Sequence, residues 1–402
     1  MTSPIPYGRQ SIDEEDIKAV VETLKADYLT QGPKIAEFEQ KFAKYVGSEY
    51  AVAVSNGTAA LHLSVMALGL QPDEYVICTP ITFAASVNCV KYCGGNVLFA
   101  DIDPSTNLLD LESVRLVLEN NQDKKIKGII PVDFAGRVVE LDKFRTFADE
   151  HDLWIIEDAC HAPGGHFIDS NGNNQNAGNG VFCETTVFSF HPVKHIATGE
   201  GGMITTNDKS IYNKLLTLRT HGITRDADSY QNSIDFANGN SSEKQIDYPN
   251  WYMEMQDLGY NYRLSDIQAA LGITQLKKAD KGLAKRREIA KIYTKAFEGI
   301  DQIISTSGVV EGHAYHLFVI EVENRRGLYD FLREQNIFAQ IHYIPVHLMP
   351  YYKTEGWKIG DLPCAEEYYS RCISLPMFPT LMQEEQQRVI DLIFNFTQGN
   401  IA

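Results

Sequence analysis

LWIIEDA (residues 153–159) is a run of four apolar residues that ends in two acids and an alanine. A run this short and apolar reads as a strand covered on both faces. The same pattern recurs in AVAVS (51–55), YVICTP (75–80), VLFADID (97–103), KGIIPVDF (127–134) and TTVFSF (185–190). Between these runs, residues 58–69, 82–93, 110–120 and 141–151 have helical spacing. Strand and helix alternating in this way predicts an α/β fold, with a mainly parallel sheet sandwiched by helices.

Working outward, residues 11–26 open on Ser11 and an acidic turn, which predicts a helix capped by Ser11. A second amphipathic helix is expected over 34–46, closed by Gly47. The Gly- and Asn-rich segment 164–180 reads as a hairpin or loop. Residues 222–257 look polar and irregular until PNWYMEMQDLG, and a loop of that length with an aromatic end suggests function. From Leu264 to Tyr293 the chain reads as helix. With 402 residues, one core is not expected to suffice. The expected division is 1–260, a large domain with an N-terminal helical segment, and 261–402, a linker helix with a small α+β domain.

The chain has a formal net charge of −17, which argues against binding a nucleic acid polymer. No apolar stretch is long enough to span a bilayer, and the N-terminus lacks the charged-then-apolar pattern of a secretion signal. Seven scattered cysteines form no metal-type pair and suit a reducing compartment, so a cytoplasmic location and no metal are expected.

Four elements carry chemistry. SFHPVKHIATGEGGMITT (189–206) places Lys194 just past a strand end beside glycine-rich backbone, where burial could free its amine for nucleophilic work. WIIEDACHA (154–162) sets Asp158 at the carboxyl end of a strand, where α/β proteins place ligands; a turn cap is the competing reading. VSNGTAALHLSV (54–65) offers backbone N–H groups and the Thr58 hydroxyl at a helix start, suited to phosphate, although Thr58 could serve as the N-cap instead. ITFAAS (81–86) offers Phe83 as a ring contact or as core. Cys160 beside His161 makes a poor nucleophilic dyad, since adjacent strand residues point apart. A nicotinamide oxidoreductase would need Gly-x-Gly-x-x-Gly after the first strand, and SNGTAAL lacks it. Phosphate cradle, aromatic, carboxylate and lysine together match the needs of pyridoxal 5′-phosphate (PLP).

With these segments, and with LTQGPKIAEFEQKFAKYVG (29–47), LRTHG (218–222), LGYNYRLSDIQAALGITQLKK (258–278) and QIHYIPVH (340–347), the chain resembles the sugar aminotransferase family named after DegT, DnrJ, EryC and StrS. The resemblance covers nearly the whole chain and implies PLP fold type I. It implies that Lys194 holds the cofactor and shuttles protons, that Asp158 pairs with the ring nitrogen, and that Phe83 and His161 contact the ring. It implies that Gly57, Thr58, Ala59 and Ser189 hold the phosphate, with Asn261 reaching in from a second subunit, so that a homodimer shares its sites. Tyr7, Asp27, Tyr28, Leu29 and Thr30, with His342, Tyr343, Ile344 and Pro345, match sugar-nucleotide contacts; Gly57, Ser189 and Asn261 also border that ligand. The closest likeness is to members that use L-glutamate to aminate the 4-keto carbon of a UDP-linked 2-acetamido-2,6-dideoxy-hexos-4-ulose for pseudaminic acid. Between half-reactions the cofactor would rest as pyridoxamine phosphate. GDP- or dTDP-linked keto sugars, or a non-catalytic sensor of the same fold, are the alternatives. Related dehydratases carry His at the lysine position; here Lys194 sits at the family's spacing from Ser189 and His195 one place beyond.

Overall fold

In the computed structural model, which describes residues 3–239 and 246–399, the six expected strands and one more, after Lys194, form one seven-stranded sheet. They are β1 (Tyr50–Val54), β2 (Glu74–Cys78), β3 (Asn96–Phe99), β4 (Lys125–Ile130), β5 (Trp154–Asp158), β6 (Thr185–Ser189) and β7 (Gly202–Thr206). Across the sheet the order is β1-β7-β6-β5-β4-β2-β3. Every pairing is parallel except those of β7, which runs against both β1 and β6. Residues 240–245 of the long polar segment and 400–402 of the C-terminal region lie outside the described residues.

The flanking helices are α1 (Glu14–Leu24), α2 (Pro33–Val46), α3 (Gly57–Ala67), α4 (Ala85–Tyr92), α5 (Leu111–Glu119), α6 (Leu141–Glu150) and α7 (Lys209–Arg219). Gly47 closes α2 in the left-handed conformation, φ 91°. The cap of α1 is Asp13 rather than Ser11. Ser11 and Asp13 both have an acid three residues on, Glu14 and Asp16, but it is the Asp13 pair that closes: the Asp13 carboxylate accepts from the Asp16 N–H, and the Asp16 carboxylate accepts from the Asp13 N–H. The Ser11 carbonyl instead accepts from Gln275 Nε2.

The long helical stretch is two helices, α8 (Asp266–Lys277) and α9 (Ala279–Phe297), broken at Lys278. The break is useful. Lys278 Nζ donates to both Asp13 and Asp16, and buried Asp16 also accepts from Thr274 Oγ1 at 2.6 Å and Gln275 Nε2 at 2.9 Å. A buried carboxylate with this many donors is compensated, and it fastens α1 to α8.

Segment 164–180 is a hairpin, His166–Ile168 against Asn174–Asn176. Outside residues 240–245, segment 222–257 is more ordered than its composition suggests. Ile223–Thr224 pairs with Glu254–Met255, and Tyr230, Tyr248 and Tyr252 pack ring against ring. Burial alone would raise the Glu254 pKa. Donors from the Gln231 and Asn232 backbone, Gln256 and Tyr252 outweigh it and bring the carboxyl to about 2.

A second core forms around an antiparallel sheet of β8 (Ile303–Thr306), β9 (Phe318–Val322) and β10 (Cys372–Leu375). The later part of α9, with α10 (Arg325–Glu334) and α11 (Gln383–Thr397), covers it. The two cores do not follow a single cut in the chain. Ile5 packs in the second core, and Ile5–Pro6 pairs in parallel with Ile337–Phe338. Val346, Tyr352, Leu362 and Tyr368 return to the first. Among the described residues, no helix is long and apolar enough to cross a membrane.

Candidate active site

A cavity of about 530 Å³ opens at the carboxyl ends of β1, β2, β5 and β6. Strand alternation decides which acid enters it. Glu157 takes donors from Thr186 Oγ1 (2.6 Å) and the Gly178 N–H (3.0 Å), while Asp158 lines the cavity. The Asp158 carboxylate accepts from Ser86 Oγ at 2.5 Å and from the Cys160 N–H at 3.1 Å, which fixes its orientation. The Cys160 thiol is pushed well up, first by burial and then by Asp158, so it stays protonated.

The phosphate-like element is resolved in detail. The N-cap of α3 is Asn56, whose side chain accepts from the Ala59 N–H at 2.8 Å. Thr58 is therefore not the cap, and its hydroxyl is left for a ligand. The Ala59 N–H is already engaged, and Ala59 does not line the cavity. Gly57 and Thr58 belong to the first helical turn, whose N–H groups have no intrahelical acceptor. Gly57 sits in a crowded place: a Cβ there would lie 3.0 Å from Ser189 Cβ. Gly202 is required, since its Cβ would lie 2.5 Å from the Asn56 carbonyl. Those two close approaches bring Ser189, Gly57 and Thr58 together.

Lys194 sits in the turn after β6, its N–H donating to the His191 carbonyl at 2.8 Å. Burial lowers the amine's pKa to about 8. Its Nζ is 3.5 Å from His316 Nε2, and the His316 ring packs on His161 with centroids 4.3 Å apart. His161 Nδ1 accepts from the Ala135 N–H at 3.2 Å, so Nε2 carries the proton and faces the Tyr343 hydroxyl at 3.2 Å. Burial, then the Lys194 charge, holds His161 well below its ordinary range. Tyr7 and His342 stand on the same wall, rings 5.2 Å apart, and burial takes His342 down to about 3. Phe83 is apolar yet 63% exposed at the cavity edge, with its ring 6.4 Å from that of Tyr343.

Lys194, Asp158, His161, Gly57, Thr58, Ser189, Phe83, Tyr7, His342 and Tyr343 are thus brought together. Asp27, Tyr28, Leu29, Thr30, Asn261, Ile344 and Pro345 do not line this cavity. Pro345 is buried and caps a short 3-10 turn (Val346–Leu348) whose first residue donates to the Pro80 carbonyl. Asn261 and the 27–30 stretch are exposed; Thr30 bridges Ser265, and Asn261 bridges Thr220. His316 and Ser86 escaped the sequence reading. Nothing in HAYH (313–316) marks an active-site histidine, and Ser86 reads as one more small residue of an apolar helix. Among the described residues no cluster of His, Cys, Asp and Glu could hold a metal ion.

This donor set fits PLP: hydroxyl and N–H donors at the start of α3, an oriented carboxylate, an exposed aromatic face and a lysine amine held below its usual range. Comparison with known proteins agrees. Residues 10–394 match the DegT/DnrJ/EryC1/StrS aminotransferase family, whose aminotransferases use PLP. The chain is 40% identical to an uncharacterized protein of Methanocaldococcus jannaschii, over 98% of each chain. It is 33% identical to the UDP-4-amino-4,6-dideoxy-N-acetyl-beta-L-altrosamine transaminase of Campylobacter jejuni, again over 98% of each. The solved structure of Helicobacter pylori PseC, an aminotransferase involved in pseudoaminic acid biosynthesis, superimposes with a TM-score of 0.85 at 28% identity, covering 99% of this chain and 100% of that one. Fold, cavity and whole-length likeness converge: the protein belongs to the DegT/DnrJ/EryC1/StrS aminotransferase family and is a sugar aminotransferase of PLP fold type I.

Proposed function

We propose that this protein moves an amino group from L-glutamate to the 4-keto carbon of a UDP-linked 2-acetamido-2,6-dideoxy-hexos-4-ulose, as a step toward a pseudaminic acid-type surface glycan. The observation that carries the transfer is Lys194 Nζ at the floor of a cavity whose facing acid, Asp158, is already oriented. Likeness to the Campylobacter transaminase and to PseC supports the choice of sugar.

In this reading Gly57 and Thr58 N–H groups, with the Thr58 and Ser189 hydroxyls, bind the cofactor phosphate. Phe83 and His161 flank its ring, and Asp158 keeps the ring nitrogen protonated. Bound there, PLP supplies an electron sink for the charge left when a C–H proton departs. Lys194 Nζ takes the donor's α-proton and holds it for return, a role suited to an amine poised near neutral pH. The neutral imidazole of His161 adds no competing charge beside it. Tyr7, His342 and Tyr343 orient the acceptor. Asn261 and Asp27–Thr30, exposed and outside their own chain's cavity, are read as contributions to the site of a second copy. Seven unpaired cysteines suit the cytoplasm.

The test is glutamate-dependent amination of a panel of UDP-, GDP- and dTDP-linked 4-keto sugars, with product linkage assigned by NMR. Preference for the UDP sugar is expected. A clear preference for a GDP or dTDP sugar rejects the acceptor, and no transfer to any of them rejects the reaction.

A further inference from the structure

Helix α9 carries Arg286 into the interior, where only 1% of it is exposed. Its Nη1 donates to three carbonyls: Tyr315 at 3.1 Å, His316 at 3.3 Å and Met377 at 2.9 Å. Its Nε is buried without an acceptor. Burial alone acts on its charge, with no carboxylate among the influences on it. A buried charge held by carbonyl dipoles alone is costly, and an apolar side chain of similar volume would avoid that cost.

Its partners explain the position. His316 faces Lys194 with its ring and Arg286 with its carbonyl. The Met377 N–H donates to the Tyr7 carbonyl at 2.9 Å, and Tyr7 lines the cavity. The guanidinium therefore sits directly behind two pieces of the active-site wall. We propose that Arg286 is an electrostatic positioning residue: it fixes the His316 and Tyr7 walls and supplies a buried positive charge that opposes protonation of the Lys194 amine. This rests on the reading of Lys194 as the working amine.

The other groups around Nζ leave that task to Arg286. His161, His195, His316 and His342 are all held uncharged by burial. The Tyr343 and Tyr7 phenols are raised by burial and stay neutral. Asp158 acts the other way and favours a charged amine. Burial lowers Lys194 to about 8, and the Arg286 charge adds to that lowering against the pull of Asp158. Arg286 itself, lowered by burial to about 10, remains charged at neutral pH.

The experiment uses the full-length chain freed of cofactor. Lys194 is titrated by the pH dependence of its labelling with a water-soluble amine reagent, read by peptide mass spectrometry. R286M should raise the midpoint, so that labelling at pH 7 falls at least about twofold. R286Q, which keeps an amide donor without the charge, should shift it equally, and R286K should hold the wild-type midpoint. Folded R286M or R286Q protein that titrates as wild type overturns the proposal and leaves Arg286 a structural brace. Wild-type Lys194 titrating as an ordinary lysine overturns it whatever the variants do. The readout needs neither cofactor nor sugar, so it fails separately from the amination test.

Discussion

Replacing Glu157 by Gln tests the buried acid pair behind the active site. Glu157 and Asp133 are both fully buried, and each leaves one carboxyl oxygen without a hydrogen-bond partner. Burial pushes Glu157 up to about 7, against donors from Thr186 and Gly178; Asp133 is raised further, by burial and then by Glu157. The pair holds a proton in the folded state that each acid would lose at lower pH when unfolded. An acid whose folded pKa is raised stabilises fully below its unfolded value, here 4.5, and that stability is lost as pH rises to about 7. Roughly 2.5 units at about 1.36 kcal/mol each gives about 3 kcal/mol. At about 2.1 cal/mol/K per residue, unfolding this chain changes entropy by roughly 0.8 kcal/mol/K, so the effect is about 4 °C in Tm. The assay is differential scanning of wild type and E157Q from pH 4.5 to pH 8. The amide keeps the Thr186 and Gly178 contacts but cannot ionise, so wild type should lose about 4 °C relative to the variant across that window. A Tm difference that stays constant with pH would refute the shared proton.

Other outcomes follow from the same structure. K194A should lose nearly all turnover, measured as 2-oxoglutarate release from glutamate; retained activity would remove Lys194 from the mechanism. His161, His195, His313, His316 and His342 are all held below their ordinary range by burial, His313 and His342 at about 3. For a base lowered on folding, stability is present above the unfolded value of 6.5 and is lost as pH falls. Stability read by chemical denaturation should therefore fall from pH 7 to pH 4, the five histidines outweighing the opposing gain from Glu157 and Asp133, and a flat profile contradicts the burial. S86A removes the hydroxyl that orients Asp158, and kcat should fall about tenfold with little change in Tm. D16A strips a buried acceptor from Thr274, Gln275 and Lys278 and should cost about 3–5 kcal/mol of stability, seen as early exchange of α1 amides in hydrogen–deuterium exchange.

The sheet was legible because each strand is a short apolar run, and runs of that kind announce themselves in order along the chain. So were Lys194 and Asp158, since position at a strand end is a one-dimensional fact. What depends on distant partners was not. Asp13 caps α1 because Asp16 answers it and Lys278 holds both. Thr58 is free because Asn56 takes the cap. His316 matters because the chain between α9 and β9 crosses back to Lys194, across 122 residues of separation. Arg286 looks like any basic residue of an amphipathic helix until its burial is seen. The polar 222–257 segment misled through composition: one carboxylate, Glu254, organises it by collecting donors that no local pattern reveals.

The pairing of Ile5–Pro6 with Ile337–Phe338 sets a timetable. Lys194 and Asp158 lie in the first half of the chain, yet Tyr7, on the same cavity, is locked by Met377. A ribosome must therefore make nearly the entire polypeptide before the Tyr7 wall of the cavity can close. Until then the leading residues wait without their partner strand, and loop closure over more than 300 residues comes late and slowly. Assembly order thus leaves the cavity without its Tyr7 anchor in any nascent or truncated chain that ends before Met377.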